Sequence, residues 1–140
     1  MLVVSIDMHS ANHPAAGRTV YLIENDNSVR IALERLIISA GMPVRAFAGA
    51  SQFLAEGLPR DGACIIADVM MEGMSGLELQ RHLKEAGCRV HLIIVTAYDT
   101  EEARDQAMKA GAVAYFRKPV DDQALLDAIA WAISRGVAKA

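Results

Sequence analysis

The sequence predicts a layered α/β fold, one parallel β-sheet with helices on both faces. Three observations lead there. Short β-rich apolar runs alternate five times with segments whose apolar residues recur at helical spacing. The connections between them are short, and no linker or low-complexity stretch interrupts them. The 140 residues are 53% apolar and 22% charged, which supplies a real core for one compact domain. Strand and helix alternating in this way imply parallel strands joined by right-handed crossovers.

The first 18 residues stand apart. Leu2-Val3-Val4-Ser5-Ile6 is apolar, but no basic residue precedes it and it ends at Asp7. It fails the requirements of a signal peptide and falls far short of the ~20 residues of a membrane span. Residues 7–18 read as a polar, flexible arm. His9 and His13 lie in it four apart, without a helix to align them on a metal.

From Thr19 the pattern is regular. Thr19-Val20-Tyr21-Leu22-Ile23 suits a strand buried on both faces and stops at the polar cluster Glu24-Asn25-Asp26-Asn27. Val29, Leu33, Leu36, Ile37 and Ala40 then recur at helical spacing before Gly41. Val44 to Phe47 is a weaker strand, followed by a short helix from Ala50 to Glu56. The run Ala63-Cys64-Ile65-Ile66-Ala67 is a strong strand ending at Asp68. After a loop, Ser75 and Glu78 form a capping-box pair that opens a helix towards Gly87. His91 to Val95 is the fourth strand's apolar run, ending at Thr96-Ala97. Asp99 and Glu102 offer an acidic helix start, and Gly111 closes that helix. Val113 to Phe116 is the fifth strand, and Asp121 begins a last helix with Leu125, Leu126, Ile129 and Ile133 as its core stripe.

Composition excludes several functions. A net charge of −3 with 5% aromatic residues gives no basic excess to displace phosphate counterions, so direct nucleic-acid binding is not expected. Two cysteines, Cys64 and Cys88, are too few for a disulfide scaffold and read as reduced thiols of a cytoplasmic protein. His82 and His91 have no neighbours in sequence that suggest a phosphohistidine or a metal site. Met70, Met71 and Met74 read as packing residues.

Ligands of open parallel sheets bind at the carboxyl ends of the strands. Here those ends carry Glu24-Asn25-Asp26, Asp68, Thr96 and Lys118. Clustered carboxylates repel one another, and a hard cation such as Mg²⁺ relieves this through oxygen ligands. A lysine opposite them neutralises an anion, and a threonine hydroxyl donates to one of its oxygens. Together they describe a site for a phosphoryl group, with Asp68 as the acceptor carboxylate. Each residue could instead merely cap its own strand. Four of them on matching strand ends weigh against that reading. A flavin carrier of the same architecture is disfavoured, because no Ser/Thr/Gly-rich phosphate loop follows the first strand.

These motifs resemble the receiver domain of bacterial two-component response regulators. The matching text is Leu22-Ile23-Glu24-Asn25-Asp26, then Asp68-Val69-Met70-Met71-Glu72-Gly73-Met74-Ser75-Gly76 and Val95-Thr96-Ala97. It continues with Ala110-Gly111-Ala112, Tyr115 and Lys118-Pro119. The likeness covers about residues 19–135, leaving 136–140 as a tail, and is most similar to receivers of FixJ-type and NarL-type transcription factors. It implies a CheY-like, flavodoxin-like (βα)5 fold with strand order 2-1-3-4-5. It also implies transfer of a phosphoryl group from a sensor histidine kinase to Asp68, assisted by Mg²⁺. Lys118 would contact that group, before a cis Lys118–Pro119 bond, and Thr96 and Tyr115 would form the switch.

The metal sphere implied by the resemblance is Glu24, Asn25, Asp68 and the backbone carbonyl of Met70. Asn25 departs from the family, where a second acidic residue is usual, so Mg²⁺ binding should be weak. The alternative that follows is a pseudo-receiver, an interaction module that signals without phosphorylation. Glu72 replaces a frequent proline and should loosen its loop. Met70 and Tyr98 flank the path of water to Asp68 and cannot orient it, which implies slow self-hydrolysis. Any enzymatic activity is then limited to self-phosphorylation from a phosphodonor and this slow dephosphorylation. Trp131 lies nearly opposite the core stripe of its helix and is an interface candidate. The face formed by residues 99–135 is a candidate homodimer surface, and any DNA binding falls to something other than this domain.

Overall fold

In the computed structural model the described residues are 18–59 and 62–135. The arm expected over residues 1–18, including His9 and His13, lies outside them except for Arg18, as does the tail 136–140. The elements are β1 (Val20–Ile23), α1 (Asn27–Ser39), β2 (Val44–Phe47), α2 (Ala50–Ala55) and β3 (Cys64–Ala67). They continue with α3 (Gly76–Glu85), β4 (His91–Thr96), α4 (Glu101–Lys109), β5 (Ala114–Arg117) and α5 (Asp122–Arg135). All five strands are parallel, in the order β2-β1-β3-β4-β5. The expected fold class and strand order both hold.

The two-residue alternation of a strand divides the core between the faces. Ile65, Ala67, Leu92 and Ile94 pack with Phe53, Leu79 and Leu83 on one side, under α2, α3 and α4. Cys64, Ile66, Ile93 and Val95 pack with Leu33, Ile37, Leu125 and Ile129 on the other, under α1 and α5. Each fully buried Leu or Ile contributes roughly 1.5–3 kcal/mol. Cys64 belongs to this core, and burial pushes its thiol up to about 12, so it stays protonated and unreactive.

Several local readings change. The α4 cap is Thr100, whose hydroxyl accepts from the Ala103 N–H at 3.0 Å, while the expected Asp99 pairs with Arg104 at 3.3 Å. Threonine has the reach for N3 from the cap position, and Asp99 sits one residue too early. In α5 the buried stripe is Leu125, Ile129 and Ala132, with Ile133 packed at its margin and Leu126 only half-buried. Cys88 lies in the loop after α3 and is buried there against the Pro59 carbonyl. Met71 and Met74 pack on the core as expected, but Met70 is exposed. The capping box of Ser75 and Glu78 forms, and Gly41, Gly87 and Gly111 take positive φ just past their helices.

Trp131 is 45% exposed, with one edge on the His91 ring at 5.6 Å and the Arg135 guanidinium over it at 4.9 Å. His91 opens β4 beside Cys64 and is only 7% exposed, and neither ring nitrogen has a hydrogen-bond partner. Burial first, and the nearby Arg135 second, lower its pKa, so the folded state holds it neutral. An unfolded chain takes up that proton near the ordinary value of about 6.5. Stability is therefore complete above that value and falls as the pH drops towards the depressed folded value. Urea midpoints measured between about pH 7.5 and 5.5 should decline in the wild type and decline less in His91→Leu. Parallel declines would show that His91 is not the group responsible.

Candidate functional site

The register of the sheet brings the four strand ends together. Ile23 pairs with Ala67, Ala67 with Ile94, and Thr96 with Arg117. The next residues along β1, β3 and β5 are Glu24, Asp68 and Lys118, while Thr96 ends β4 itself. Backbone ladders continue into this edge, with the Glu24 N–H on the Phe47 carbonyl at 3.0 Å and the Lys118 N–H on the Thr96 carbonyl at 2.8 Å. The Lys118–Pro119 peptide bond is cis, as expected.

Lys118 joins the two carboxylates. Its Nζ donates to Glu24 Oε1 at 2.5 Å and to Asp68 Oδ2 at 2.9 Å. The remaining oxygens also have donors: Glu24 Oε2 accepts from the Asp26 N–H and Asp68 Oδ1 from the Met70 N–H, both at 3.0 Å. Glu24 is 3% and Asp68 6% exposed, so this triad is largely screened from water. Burial alone would lower the Lys118 pKa. Its hydrogen bonds to Glu24 and Asp68 outweigh that and raise it, so the ammonium is permanently charged at neutral pH.

Neighbouring groups hold the triad in place. Arg30 of α1 donates to the Glu24 backbone carbonyl at 2.8 Å, tying the start of that helix to the end of β1. Asp26 is the α1 N-cap, accepting from the Val29 N–H at 3.0 Å. Its carboxylate is spent there and does not stand in for the missing acid at Asn25, which is exposed. Gly76 begins α3 directly against Asp68, where a Cβ would lie 2.5 Å from the Asp68 carbonyl oxygen. Arg30 and Gly76 support the triad from outside the strand ends, so a strand-end rule does not find them, although Gly76 closes the motif that starts at Asp68.

The expected switch residues sit just beyond. Thr96 is fully buried, with its Oγ1 accepting from the Tyr98 N–H at 3.0 Å. Tyr115 is half-buried on the outer side, its hydroxyl directed at the Tyr98 carbonyl at 3.4 Å and its ring under Arg104 at 5.3 Å. Burial, then the neighbouring Asp99, push its phenol up, so it remains a donor. Met70 and Tyr98 are both exposed at the rim, and a hollow of ≈390 Å³ lies between them and α4. Trp131 belongs to the opposite end of the sheet, beside the first residue of β4, and takes no part in this site.

Glu24, Asp68 and the exposed Asn25 would supply two carboxylates and one amide oxygen, hard donors of the kind that Mg²⁺ takes. This set is one charge short of three acids. Among the described residues, no group of three His, Cys, Asp or Glu side chains gathers where a metal ion would sit. Lys118 offsets one of the two negative charges of Glu24 and Asp68, which leaves the triad with a net charge of −1.

Removing that cation leaves two buried carboxylates facing each other. Lys118→Met should lower stability by about 3 kcal/mol at neutral pH. Lys118→Arg, which keeps a cation at that position, should lose less. Denaturant titrations of both variants measure this. Equal losses would mean that Lys118 acts by packing and not by charge.

A family model described as the response regulator receiver domain matches residues 20–130. The transcriptional regulatory protein FixJ of Azorhizobium caulinodans is 37% identical over 116 residues, covering 83% of this chain and 55% of that protein. The response regulator protein TodT of Pseudomonas putida is 40% identical over 110 residues, covering 79% of this chain and 48% of that protein. The chain thus spans about half the length of these curated relatives. Among solved structures, the crystal structure of FixJ-N superposes with a TM-score of 0.76 at 30% identity, covering 87% of this chain and 98% of the other. No helix among the described residues is long and apolar enough to cross a membrane. With its strand order and these relatives in agreement, the chain belongs to the response regulator receiver domains of two-component systems.

Proposed function

We propose that Asp68 accepts a phosphoryl group from the phosphohistidine of a sensor kinase in the cytoplasm. The observation that carries this reading is the triad, two buried carboxylates on separate strands joined by one lysine. Such a group suits the reaction: Asp68 Oδ forms the new O–P bond as the donor's N–P bond breaks, and the imidazole leaves with the electron pair. Lys118 then exchanges its carboxylate contact for a phosphoryl oxygen and neutralises the charge that arrives there. Glu24, Asn25, Asp68 and the Met70 carbonyl are the groups that would hold Mg²⁺, which supplies charge neutralisation at the transferring oxygens.

The signal leaves through β4 and β5. Thr96 turns its hydroxyl to the phosphoryl group and gives up the Tyr98 N–H. Tyr115 moves inward into the space this opens, releasing the Tyr98 carbonyl and the Arg104 stack. The readout is then a change in the 99–135 face, which binds a second copy of the chain or an output partner. With a net charge of −3, nucleic acid is not a direct target of this domain. Met70 and Tyr98 bring no acid or amide to orient a water, so the phosphorylated form persists for minutes or longer.

A second reading is favoured by Asn25 alone, which leaves the pocket one carboxylate short. In it the domain is a pseudo-receiver that acts through protein contacts without phosphate. Beryllofluoride, a phosphoryl mimic, separates the two. With Mg²⁺ present it should shift the amide resonances of Thr96 and Tyr115, and Asp68→Asn should abolish the shifts. Asn25→Asp should lower the Mg²⁺ concentration needed by about tenfold, through the added ligand charge. A wild-type spectrum indifferent to beryllofluoride at saturating Mg²⁺ would favour the pseudo-receiver.

A further inference from the structure

The turn from β1 into α1, Glu24 to Asn27, carries one free side chain among three that are tied. Glu24 Oε1 accepts from Lys118 Nζ, and its Oε2 accepts from the Asp26 N–H at 3.0 Å. Asp26 Oδ1 accepts from the Val29 N–H at 3.0 Å and caps α1. Asn27 Oδ1 accepts from the Arg30 guanidinium. Asn25 stands between them, exposed, and its side-chain amide makes no hydrogen bond among the described residues.

Arg30 clasps this turn. One guanidinium nitrogen donates to the Glu24 carbonyl at 2.8 Å and the other to Asn27 Oδ1, so one planar group bridges the residues on either side of Asn25-Asp26. The side chain is half-buried and comes from the first turn of α1. A staple that merely joined α1 to β1 would need the first contact alone. The second reaches the far end of the turn and restrains the backbone across residue 25. Ordering the backbone of a ligating residue costs free energy, and less of it where the position is fixed beforehand. At Asn25 this counts, because a neutral amide oxygen brings no charge to offset that cost.

We propose that Arg30 is a positioning residue for cation binding: its two-pronged contact across the β1–α1 turn holds the Asn25 amide available to a hard cation shared with Glu24 and Asp68. This rests on the reading above that those groups hold Mg²⁺, and goes beyond it in giving Arg30 a part. Arg30 is itself a cation and no ligand. Its charge opposes a metal ion nearby, so removing that charge would mix two effects of opposite sign. Arg30→Lys keeps the charge and loses the fork, and Asn27→Ala cuts the second contact without altering any charge.

Mn²⁺, which takes the same oxygen ligands as Mg²⁺, is the probe. Bound ion is counted by loss of the free-ion electron paramagnetic resonance signal and located by broadening of the amide resonances of residues 24–26 and 68–70. Arg30→Lys and Asn27→Ala should each raise the dissociation constant about fivefold. In an Asn25→Ala background, where no amide is left to position, neither should change it by as much as about twofold. A plain structural staple would act equally in both backgrounds, and that result overturns the inference. Wild-type binding that either substitution leaves unchanged also overturns it, with the Mg²⁺ reading intact. A wild type without saturable binding at those residues overturns the Mg²⁺ reading and the part of Arg30 together.

Discussion

The ammonium of Lys118, held between Glu24 and Asp68, is the interaction on which the rest of the functional edge depends. Two carboxylates that are nearly inaccessible to water would repel each other strongly without it. Breaking a buried pair by removing one partner costs far more than the pair itself contributes. The lysine therefore lets three separate strands end in charged groups at one place. The hydrogen bonds from Asp26 and Met70 complete the arrangement, because each carboxylate oxygen then has a donor. A preorganised site of this kind already holds the counter-charge that the proposed phosphoryl group would need.

That constraint spreads into the scaffold. Lys118 can reach both acids because β5 pairs with β4 in a register that sets Arg117 beside Thr96. Gly76 lets α3 begin against the Asp68 carbonyl, which a side chain would push away. Arg30 fastens α1 to the backbone of Glu24, so the loop carrying Asn25 is fixed at both its ends. At the opposite end of the sheet, His91 and Cys64 are buried and uncharged, and their contribution is to the core and not to the chemistry. Chemistry and stability are thus assigned to opposite ends of the same strands, as parallel sheets generally arrange them.

Much of this was legible in the residues themselves. Alternating apolar runs gave all five strands to within a residue or two, since strands buried on both faces read as continuous Val/Ile/Leu segments. The strand-end rule pointed to Glu24, Asp68, Thr96 and Lys118 before any family likeness entered. What stayed hidden was set by side-chain reach and tertiary contact. Thr100 outcompetes Asp99 as a cap through one residue of offset. Ala132 is fully buried in the α5 stripe, although hydrophobicity alone ranks it below Leu126 and Ile133. The burial of Cys88 and the edge contact between His91 and Trp131 arise from residues 29 and 40 positions apart, and no local pattern records them. Asn25 was visible as a departure, and its exposure beside a committed Asp26 explains why no neighbour compensates.

The central claim is that Asp68, held ready by Lys118, carries a phosphoryl group. Intact-mass spectrometry after incubation with acetyl phosphate and Mg²⁺ tests it most directly. The expected result is one phosphoryl adduct on the wild-type chain, persisting for minutes after the phosphodonor is removed, and none on Asp68→Asn. A wild-type chain that remains unmodified at saturating Mg²⁺, or an adduct that survives Asp68→Asn, would contradict it.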